Sequence, residues 1–529
     1  MKSMHYSWGI LFALLMACSQ TMTVQTVQAQ EKKTDSGYNN PVISGFNPDP
    51  SVCRKDSDYY LVTSSFEYFP GVPIYHSKDL IHWEQIGHCL TRRSQLNLEK
   101  AWVSGGIFAP TIRYHKGIFY MITTNTSDKG NFIVHTKDPA GEWSDPVWLV
   151  QKGIDPSLFW DNDTCYLVSN PNGGICLSEI NPITGEQLSP TKCIWYGTGG
   201  RYPEAPHIYK KDGYFYLTIA EGGTEYAHKV TVARAIDIYG PYTSNPANPI
   251  LTHSRRLVES NPIQGTGHAD FIQAHDGSWW TVFLGFRPGD GRHHVMGRET
   301  FLAPVEWGKG AWPVIYNKGY VDTLMITKTL PERPLKDNFS DASTDFSESQ
   351  LGYSWMYIRN PHFENYSLKE KPGYLVLKAT QKQIKDIASP TFVGTRQNHM
   401  AQTVSTNVQI IRPGKLLQTG LTVFQNPTHH YDVQLVRKGN DTYVQVHVRV
   451  GRIDYIAKEM SIPSQPATLK VVADKYSYVF YCNDTRLIDL DTRYLSSETA
   501  SGFTGVLFGL FAQSNDGNGA AAFDWYKTK

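Results

Sequence analysis

One pattern of apolar and polar positions recurs five times along the first three-fifths of the chain. In each copy, a short alternating segment is followed by a tight turn and then by a second segment rich in β-branched and aromatic residues. The copies begin at Pro50, Pro110, Pro156, Pro206 and Asp270, and an aromatic residue follows ten positions later at Tyr60, Tyr120, Tyr166, Tyr216 and Trp280. Alternation with a period of two is typical of strands, so each copy predicts a β-hairpin.

The regular spacing of these hairpins predicts a repeat architecture. Their starts lie 46 to 64 residues apart, which leaves room for two further strands in each copy. Five four-stranded units in tandem are what a five-bladed β-propeller needs, and we expect it to occupy residues 38–328. The alternative is a run of unrelated hairpins in a sandwich or barrel, which the constant ten-residue register disfavours.

The pattern changes beyond Val314. A stretch rich in proline and charge, residues 330–337, indicates a linker, and short alternating strands such as TYVQVHVRV and ATLKVVA follow it. No amphipathic helical run interrupts them, so a β-sandwich is predicted over residues 336–529. The chain is therefore expected to be all-β, and two domains agree with a length of 529 residues.

Composition narrows the class of partner. The chain has 50 basic and 49 acidic residues and a net charge of +1. A nucleic-acid-binding surface needs an excess of basic groups, so a neutral polar ligand is favoured and no nucleic-acid partner is expected. Nucleotide-binding and zinc-protease motifs are absent from the sequence, so no cofactor is expected to be required. The six cysteines beyond Cys18 lack CxxC spacing, which favours mainly buried free thiols.

The first 29 residues are typical of a signal peptide. Lys2 begins a weakly basic segment, and the apolar run Gly9–Ala17 is too short to span a membrane. Val27–Ala29 resembles a signal-peptidase site, whereas Leu15–Cys18 resembles a lipobox in which Cys18 would carry a lipid anchor. Both interpretations predict export to the periplasm or the cell surface. The rest of the chain predicts no membrane span.

Three acids and a histidine stand at or just before the starts of four repeats: Asp49, Asp155, Glu204 and His268. The innermost strand of each propeller blade lines the central channel, so these positions are expected to converge. Carboxylates that lie close together raise one another's pKa, so crowding them is unfavourable without a functional reason. Three acids at matching positions of the repeat therefore indicate a functional site and not only a set of turn residues. An inverting glycosidase needs one ionised carboxylate to activate water and one protonated carboxyl group to protonate the leaving oxygen. The arrangement therefore predicts glycoside hydrolysis.

Motifs along the chain resemble glycoside hydrolase family 43. They are NPDPS at residues 47–51, FEYFPG at 66–71, GIDPSLFWD at 153–161, RYPEAPHIY at 201–209, GTGHAD at 265–270, MGRE at 296–299, SPTFVGTRQ at 389–397 and SGFTG at 501–505. This resemblance covers essentially the whole mature chain. It implies a five-bladed β-propeller followed by a concanavalin-like β-sandwich. It also implies exo-acting, inverting release of terminal xylose or arabinose from hemicellulose-derived oligosaccharides.

The resemblance assigns roles to the polar residues. Asp49 is implied as the general base, Asp155 as an orienting residue and pKa modulator, and Glu204 as the general acid. Arg298 would bind a substrate hydroxyl and keep a positive charge near the acids. His268 would lie at the bottom of the funnel, where relatives hold a water or a calcium ion; a hydrogen-bonded structural histidine is the alternative. No metal ligand is assigned.

Three phenylalanines are expected to shape the pocket. Phe66 would form the wall for the terminal sugar, although an ordinary core position is the alternative. By resemblance, Phe503 would reach from the sandwich into the mouth of the propeller and enforce exo action. Phe108 stands where many xylosidase relatives carry tryptophan, and the smaller ring would widen the pocket. Activity on both β-D-xylopyranose and α-L-arabinofuranose is therefore expected.

Other interpretations remain open at this point. They are a non-catalytic sugar-binding propeller, an endo-acting arabinanase or xylanase of the same fold, a retaining fructan hydrolase, and a structural or adhesion protein. The adjacent pairs His293-His294 and His429-His430 invite a metal site. Neighbouring residues of a strand point to opposite faces, however, so loop or surface positions are expected for them.

Overall fold

The predicted hairpins form a ring, and a second domain packs against it. The structure is a computed structural model that describes residues 36–171, 173–254, 261–327 and 342–529. Nearly all of its regular structure is β, and the prediction of a five-bladed propeller followed by a concanavalin-like sandwich is confirmed. The predicted signal peptide, Cys18 and the linker at residues 330–337 lie outside the described residues.

Each blade is an antiparallel sheet whose first two strands are one of the predicted hairpins. In blade 1, for example, Val52 pairs with Leu61 and Cys53 pairs with Tyr60 across the turn. Blade 1 consists of Ser51–Lys55, Asp58–Val62, Gly71–Ser77 and Glu84–Leu90, and blade 2 of Thr111–His115, Ile118–Asn125, Gly130–Thr136 and Val147–Trp148. Blade 3 consists of Ser157–Asp161, Thr164–Ser169, Ile175–Ile180 and Lys192–Trp195, and blade 4 of Glu204–Lys211, Tyr214–Glu221, Lys229–Ala235, Thr243–Ser244 and the extra strand Leu251–Thr252. Blade 5 consists of Gln264–Gln273, Trp279–Phe286, Glu299–Glu306 and Val314–Ile315.

The two ends of the propeller close the ring by pairing with each other. Strand Ser36–Asn39 is antiparallel to strand Leu324–Thr327. The first strands of neighbouring blades touch all the way round, including those of blades 5 and 1. On the axis, the buried carboxylate of Asp270 accepts hydrogen bonds from the side chains of Ser51, Arg113 and Tyr209, so four blades meet at one group.

The second domain is a sandwich of two antiparallel sheets around one apolar core. In spatial order, one sheet consists of Tyr366–Ser367, Leu375–Lys378, Ala520–Thr528, Gln402–Arg412, Ala467–Ala473, Ser477–Cys482 and Thr485–Asp491. The other consists of Phe392–Arg396, Leu507–Gln513, Gln418–Asn426, His429–Lys438, Asp441–Val450 and Ile453–Ile462. Short helical turns occur at Tyr316–Gly319, Phe363–Asn365, Thr492–Leu495 and Ser497–Ala500.

The two domains share a strand pair and an apolar cluster. Strand Tyr68–Phe69 of the propeller pairs with Tyr357–Ile358, which leads into the sandwich. Phe46 and Phe66 of the propeller belong to the same buried cluster as Phe392 of the sandwich. This contact fixes the six-stranded sheet beside the mouth of the propeller, so loops of the sandwich can reach the channel.

The cysteines are mainly buried thiols. Cys53, Cys89, Cys165 and Cys482 are buried and free, and Cys176–Cys193 forms a disulfide between neighbouring strands of blade 3. In the part of the chain that the structure describes, no helix has the length and apolar character needed to cross a membrane.

Candidate active site

The three predicted acids line one pocket at an end of the propeller channel. Asp49 and Asp155 stand two residues before the first strands of blades 1 and 3, and Glu204 opens the first strand of blade 4. Asp49 and Asp155 adopt left-handed backbone conformations with φ of 56° and 50°, and His268 does so with φ of 51°. Such conformations are uncommon for non-glycine residues and cluster at functional sites.

Asp49 is held as a carboxylate. It is 5% exposed, accepts a hydrogen bond of 2.5 Å from Ser64 Oγ, and accepts one of 2.8 Å from Arg298 Nη1. Burial alone would raise the pKa of Asp49, but the positive charge of Arg298, the neighbouring His268 and the bond from Ser64 outweigh it. The pKa therefore lies below its ordinary value, and the group is ionised at neutral pH.

Glu204 and Asp155 are held in the opposite state. Burial, followed by the negative charge of Asp49, raises the pKa of Glu204 to about 7 against the opposing effect of Arg298. Burial, followed by the charges of Glu204 and Asp49, raises the pKa of Asp155 well above its ordinary value. The pocket thus combines one ionised carboxylate with carboxyl groups that retain a proton near pH 7, which is what an acid–base pair requires.

Arg298 links Asp49 to the rest of the pocket. Its Nη1 donates to both Asp49 Oδ1 and Thr224 Oγ1, each at 2.8 Å, and its Nη2 donates to the carbonyl oxygen of Phe503 at 3.3 Å. The Nε of Arg298 is buried and has no hydrogen-bond partner among the described residues. The predicted contact between Arg298 and a substrate hydroxyl stays a prediction.

Three aromatic rings form one wall of the pocket. The ring centroid of Phe66 lies 5.6 Å from that of Phe108 and 5.8 Å from that of Phe503, and Phe108 lies 6.1 Å from Phe503. Phe66 is buried in the interdomain cluster and also lines the pocket, and its contact with a terminal sugar stays a prediction. Phe503 is 39% exposed and comes from the sandwich, which therefore contributes a residue to the pocket.

The Phe503 loop is tied to the propeller by a short chain of hydrogen bonds. The backbone N–H of Phe503 donates to Ser104 Oγ at 2.8 Å, and the backbone N–H of Ser104 donates to Glu67 Oε2 at 3.0 Å. The preceding Gly502 has φ of 93°, a region that disfavours side chains, and a Cβ there would lie 2.6 Å from Ser104 Oγ. The glycine therefore permits the close approach of the two domains.

The surroundings of His268 do not fit a calcium ion held by protein ligands. Calcium takes six to eight oxygen ligands. The carboxylates near His268 are Asp49 and Asp270, and both already accept hydrogen bonds from arginine and serine side chains. Its other charged neighbour is Arg298, which disfavours a cation. We therefore assign no step of the reaction to an ion at His268.

Two family models match the chain in succession. The model for Glycosyl hydrolases family 43 matches residues 38–313. The chain belongs to this family. The model for the Beta xylosidase C-terminal Concanavalin A-like domain matches residues 343–529. This family 43 protein is a glycosidase, and enzymes of the family hydrolyse glycosidic bonds with inversion.

Curated relatives resemble the chain over almost its full length. It is 39% identical over 507 residues to the non-reducing end alpha-L-arabinofuranosidase BoGH43B of Bacteroides ovatus, covering 92% of this chain and 94% of the relative. It is 40% identical to the xylosidase/arabinosidase of Butyrivibrio fibrisolvens, covering 90% and 96%. The solved structure of Bacteroides ovatus Xyloglucan PUL GH43B matches with a TM-score of 0.89 at 38% identity, covering 93% of this chain and all of that one.

The pocket of this family 43 glycosidase opens into a larger groove between the two domains. The inner pocket has a volume of about 90 Å³ and the groove about 970 Å³. Both are lined by Glu204, Thr224, Arg298 and Phe503. Glu204 therefore lies at the junction of the pocket and the groove.

Sequence reasoning missed the residues that support the site. Ser64 and Thr224 bond to Asp49 and Arg298, and Ser104 and Glu67 hold the Phe503 loop. Glu67 directly follows Phe66 inside a motif that resembles the family, which was an available signal. Ser104 and Thr224 lie outside the quoted motifs, and only the folded chain brings them to the site.

The basic limb of the pH–rate profile provides a test of this electrostatic arrangement. A proton donor with the pKa of about 7 that burial and Asp49 give to Glu204 is in its active form below pH 7 and loses its proton above it. We expect kcat/KM on xylobiose to fall tenfold per pH unit above about pH 7, and the acid limb to lie below the ordinary range of aspartate. In Glu204→Gln the basic limb should disappear. A limb near pH 7 that persists in this variant would assign it to another group.

Proposed function

We propose that this family 43 glycosidase is an exo-acting β-xylosidase that releases terminal xylose from hemicellulose-derived oligosaccharides. We also propose that the same pocket accepts terminal α-L-arabinofuranose. The observation that carries the proposal is the differential protonation of Asp49 and Glu204 in a pocket walled by Phe66, Phe108 and Phe503. The names of the two relatives above, an arabinofuranosidase and a xylosidase/arabinosidase, support this choice of sugars.

In the proposed reaction, water attacks the anomeric carbon from the side of Asp49. The carboxylate accepts one proton of this water as the new carbon–oxygen bond forms, and Glu204 donates its proton to the departing glycosidic oxygen. The bond between that oxygen and the anomeric carbon breaks, so the free sugar forms with inverted configuration. Both carboxyl groups exchange a proton with solvent before the next turnover. No cofactor takes part in this scheme.

The shape of the site supports action at a chain end. The small pocket ends against the aromatic wall, and the groove beyond Glu204 is open. One sugar would therefore occupy the pocket while the remaining chain leaves through the groove. Tyr202, which is 62% exposed, lines that groove and offers an apolar ring surface to the leaving chain. An endo-acting enzyme would need an open passage on both sides of the scissile bond.

The deciding experiment compares two chromogenic substrates. Residues 31–529 are assayed on 4-nitrophenyl β-D-xylopyranoside and 4-nitrophenyl α-L-arabinofuranoside, with and without a chelator, and the product anomer is followed by NMR. We expect hydrolysis of both substrates, inversion, and no effect of chelation. Activity on neither substrate by folded protein would overturn the proposal in favour of a non-catalytic sugar-binding propeller. Release of internal fragments from xylan or arabinan would favour an endo-acting enzyme.

Removal of the Phe503 ring is expected to relax the preference for short chains. Phe503→Ala removes from the aromatic wall the one ring that lines both the pocket and the groove. We expect kcat/KM on xylobiose to fall about 10- to 100-fold, because the loss of an aromatic contact worth about 1.4–2.7 kcal/mol weakens positioning of the terminal sugar. The ratio of activities on xylobiose and xylohexaose should fall as well. Phe363→Ala, at an exposed phenylalanine of the same domain, serves as the control. An unchanged chain-length preference would exclude this role.

We propose that the protein is exported and acts in the periplasm or at the cell surface. The proposal rests on the apolar N-terminal run at residues 9–17 and the two processing motifs that follow it. Mass spectrometry of the native N-terminus distinguishes the two outcomes. A start near Gln30 would indicate signal-peptidase cleavage, and an acylated Cys18 would indicate a lipid anchor.

A further inference from the structure

The six-stranded sheet of the sandwich carries a polar cluster on the face turned away from the domain core. In strand His429–Lys438, Tyr431, Val433 and Leu435 belong to the core. Side chains alternate along a strand, so His430 and Asp432 lie on the opposite face. Both are nevertheless 1% exposed. The expectation that His430 is a loop or surface residue is therefore wrong, because the outer face of this strand is also covered.

Strand pairing adds a second histidine to the cluster. Asp432 pairs directly with His447 of the neighbouring strand, so their side chains lie side by side on the same face. His430 Nδ1 lies 2.9 Å and 3.0 Å from the two carboxylate oxygens of Asp432, and His447 Nδ1 lies 2.8 Å from Oδ2. One carboxylate is thus flanked by two imidazoles.

This composition suits a transition-metal ion. Among the described residues, this is the one group of three or more His, Cys, Asp or Glu side chains whose ligand atoms all lie within 4.8 Å of one another. A tetrahedral zinc ion with bonds of about 2.0–2.2 Å places neighbouring ligand atoms roughly 3.3–3.5 Å apart, so small side-chain shifts would admit it. Imidazole nitrogen favours zinc and similar ions, whereas calcium and magnesium prefer sites made of oxygen alone.

A further carboxylate lies on the other side of His447. The other ring nitrogen of His447, Nε2, donates to Asp454 Oδ1 at 2.7 Å, and Arg449 donates to Asp454 Oδ2 at 2.5 Å. A metal-binding histidine characteristically donates its second N–H to a carboxylate in this way, which fixes the orientation of the ring.

A cavity borders the cluster. The Nε2 of His430 is buried and has no hydrogen-bond partner among the described residues. This nitrogen points away from Asp432, which His430 Nδ1 faces, so it is not one of the proposed ligand atoms. His430, His447 and Asp454 line a cavity of about 370 Å³ on this face of the sheet. The cavity therefore borders two of the three residues of the cluster.

We propose that His430, Asp432 and His447 bind one divalent first-row transition-metal ion, of which zinc is the representative. Asp454 contacts the side of the His447 ring that faces away from the ion and acts as a positioning residue that orients this ring. The ion would tie strands His429–Lys438 and Asp441–Val450 together inside the sandwich. The site is separate from the pocket at Asp49, so the proposal does not depend on the glycosidase reaction.

The test uses residues 31–529, produced without a polyhistidine tag and freed of metal with a chelator. Zinc alone is titrated by calorimetry, bound zinc is counted by mass spectrometry, and cobalt is added separately because its visible absorption reports nitrogen and oxygen ligands. We expect one ion per chain. At a free zinc concentration 100-fold above Kd, the unfolding temperature should rise by about 5 °C.

Matched variants locate the ion. His430→Gln and His447→Gln should each abolish stoichiometric binding, and Asp454→Asn should weaken it about 10- to 100-fold. His429→Gln is the control, because its ring lies one residue away and contacts Thr428 Oγ1 instead of the cluster.

Wild-type protein that binds no zinc at 10 µM free ion would overturn the proposal, and so would undiminished binding by folded His430→Gln and His447→Gln. Asp454→Asn, outside the ligand set, remains informative if a ligand variant fails to fold. Xylosidase activity is not a readout, so failure of this proposal is distinguishable from failure of the proposed function.

Discussion

Glu204→Gln is expected to slow hydrolysis of xylobiose by about 10³-fold and that of an activated aryl xyloside by about tenfold or less. A sugar leaving group is a poor one and needs the proton that Glu204 supplies, whereas a nitrophenolate leaves without it. Glutamine keeps the size of the side chain but has no carboxyl proton to donate. Steady-state kcat/KM on a series of aryl xylosides with leaving groups of increasing pKa measures the difference as a steeper slope in the variant.

Two outcomes would contradict this role. Equal losses on xylobiose and on the most activated aryl xyloside would show that Glu204 acts before departure of the leaving group. A loss of less than threefold on both would remove it from the chemistry. Glu186→Gln, at an exposed glutamate of blade 3, controls for the general effect of removing a carboxylate.

Asp49→Asn is expected to lower kcat by about 10⁴-fold on every substrate, activated or not. Water must lose a proton as it attacks, whatever the leaving group, and the amide cannot accept one. The variant also leaves the buried guanidinium of Arg298 without its anionic partner, since Arg298 bonds directly to Asp49. Some loss of thermal stability should therefore accompany the loss of activity, and both are measured on the same purified protein.

A coupled effect on Glu204 distinguishes Asp49 from an accidental neighbour. The negative charge of Asp49 helps raise the pKa of Glu204, so the residual activity of Asp49→Asn should lose its basic limb at a lower pH than the wild type. Asp56→Asn, in the exposed turn of the same blade, should change neither the rate nor the limb. A wild-type rate on aryl xylosides with Asp49→Asn would assign the base to another residue.

The fold could be predicted from the repeat because each hairpin is recognised from residues that lie close together in the sequence. A hairpin with a fixed distance between its start and its aromatic residue can be recognised in any copy, and five copies leave few architectures. The convergence of Asp49, Asp155 and Glu204 followed from their matching positions in the repeat. The structure brings all three to one pocket. Their protonation states could not be derived, because they depend on burial and on the distance to Arg298.

Contacts between segments that are distant in the sequence could not be predicted from local patterns. Phe503 was placed at the pocket by resemblance alone, and its tether to Ser104 joins residues of two domains. The His430 cluster shows a second limit. Adjacent histidines were expected to point to opposite faces, and they do lie on alternating positions of a strand. The pairing of Asp432 with His447 could not be predicted from the sequence, since strand register is decided by packing across the whole sheet.

The pairing that closes the propeller has a consequence for how the chain acquires its fold. Strand Ser36–Asn39 is synthesised before all the blades, and its partner Leu324–Thr327 is synthesised after them. The ring therefore cannot close until the whole domain is available, and such long-range pairing forms slowly. Until then, an incomplete ring presents strand edges on which another chain could pair. We therefore expect the time needed for this late closure to set how long a new chain exposes those edges to aggregation.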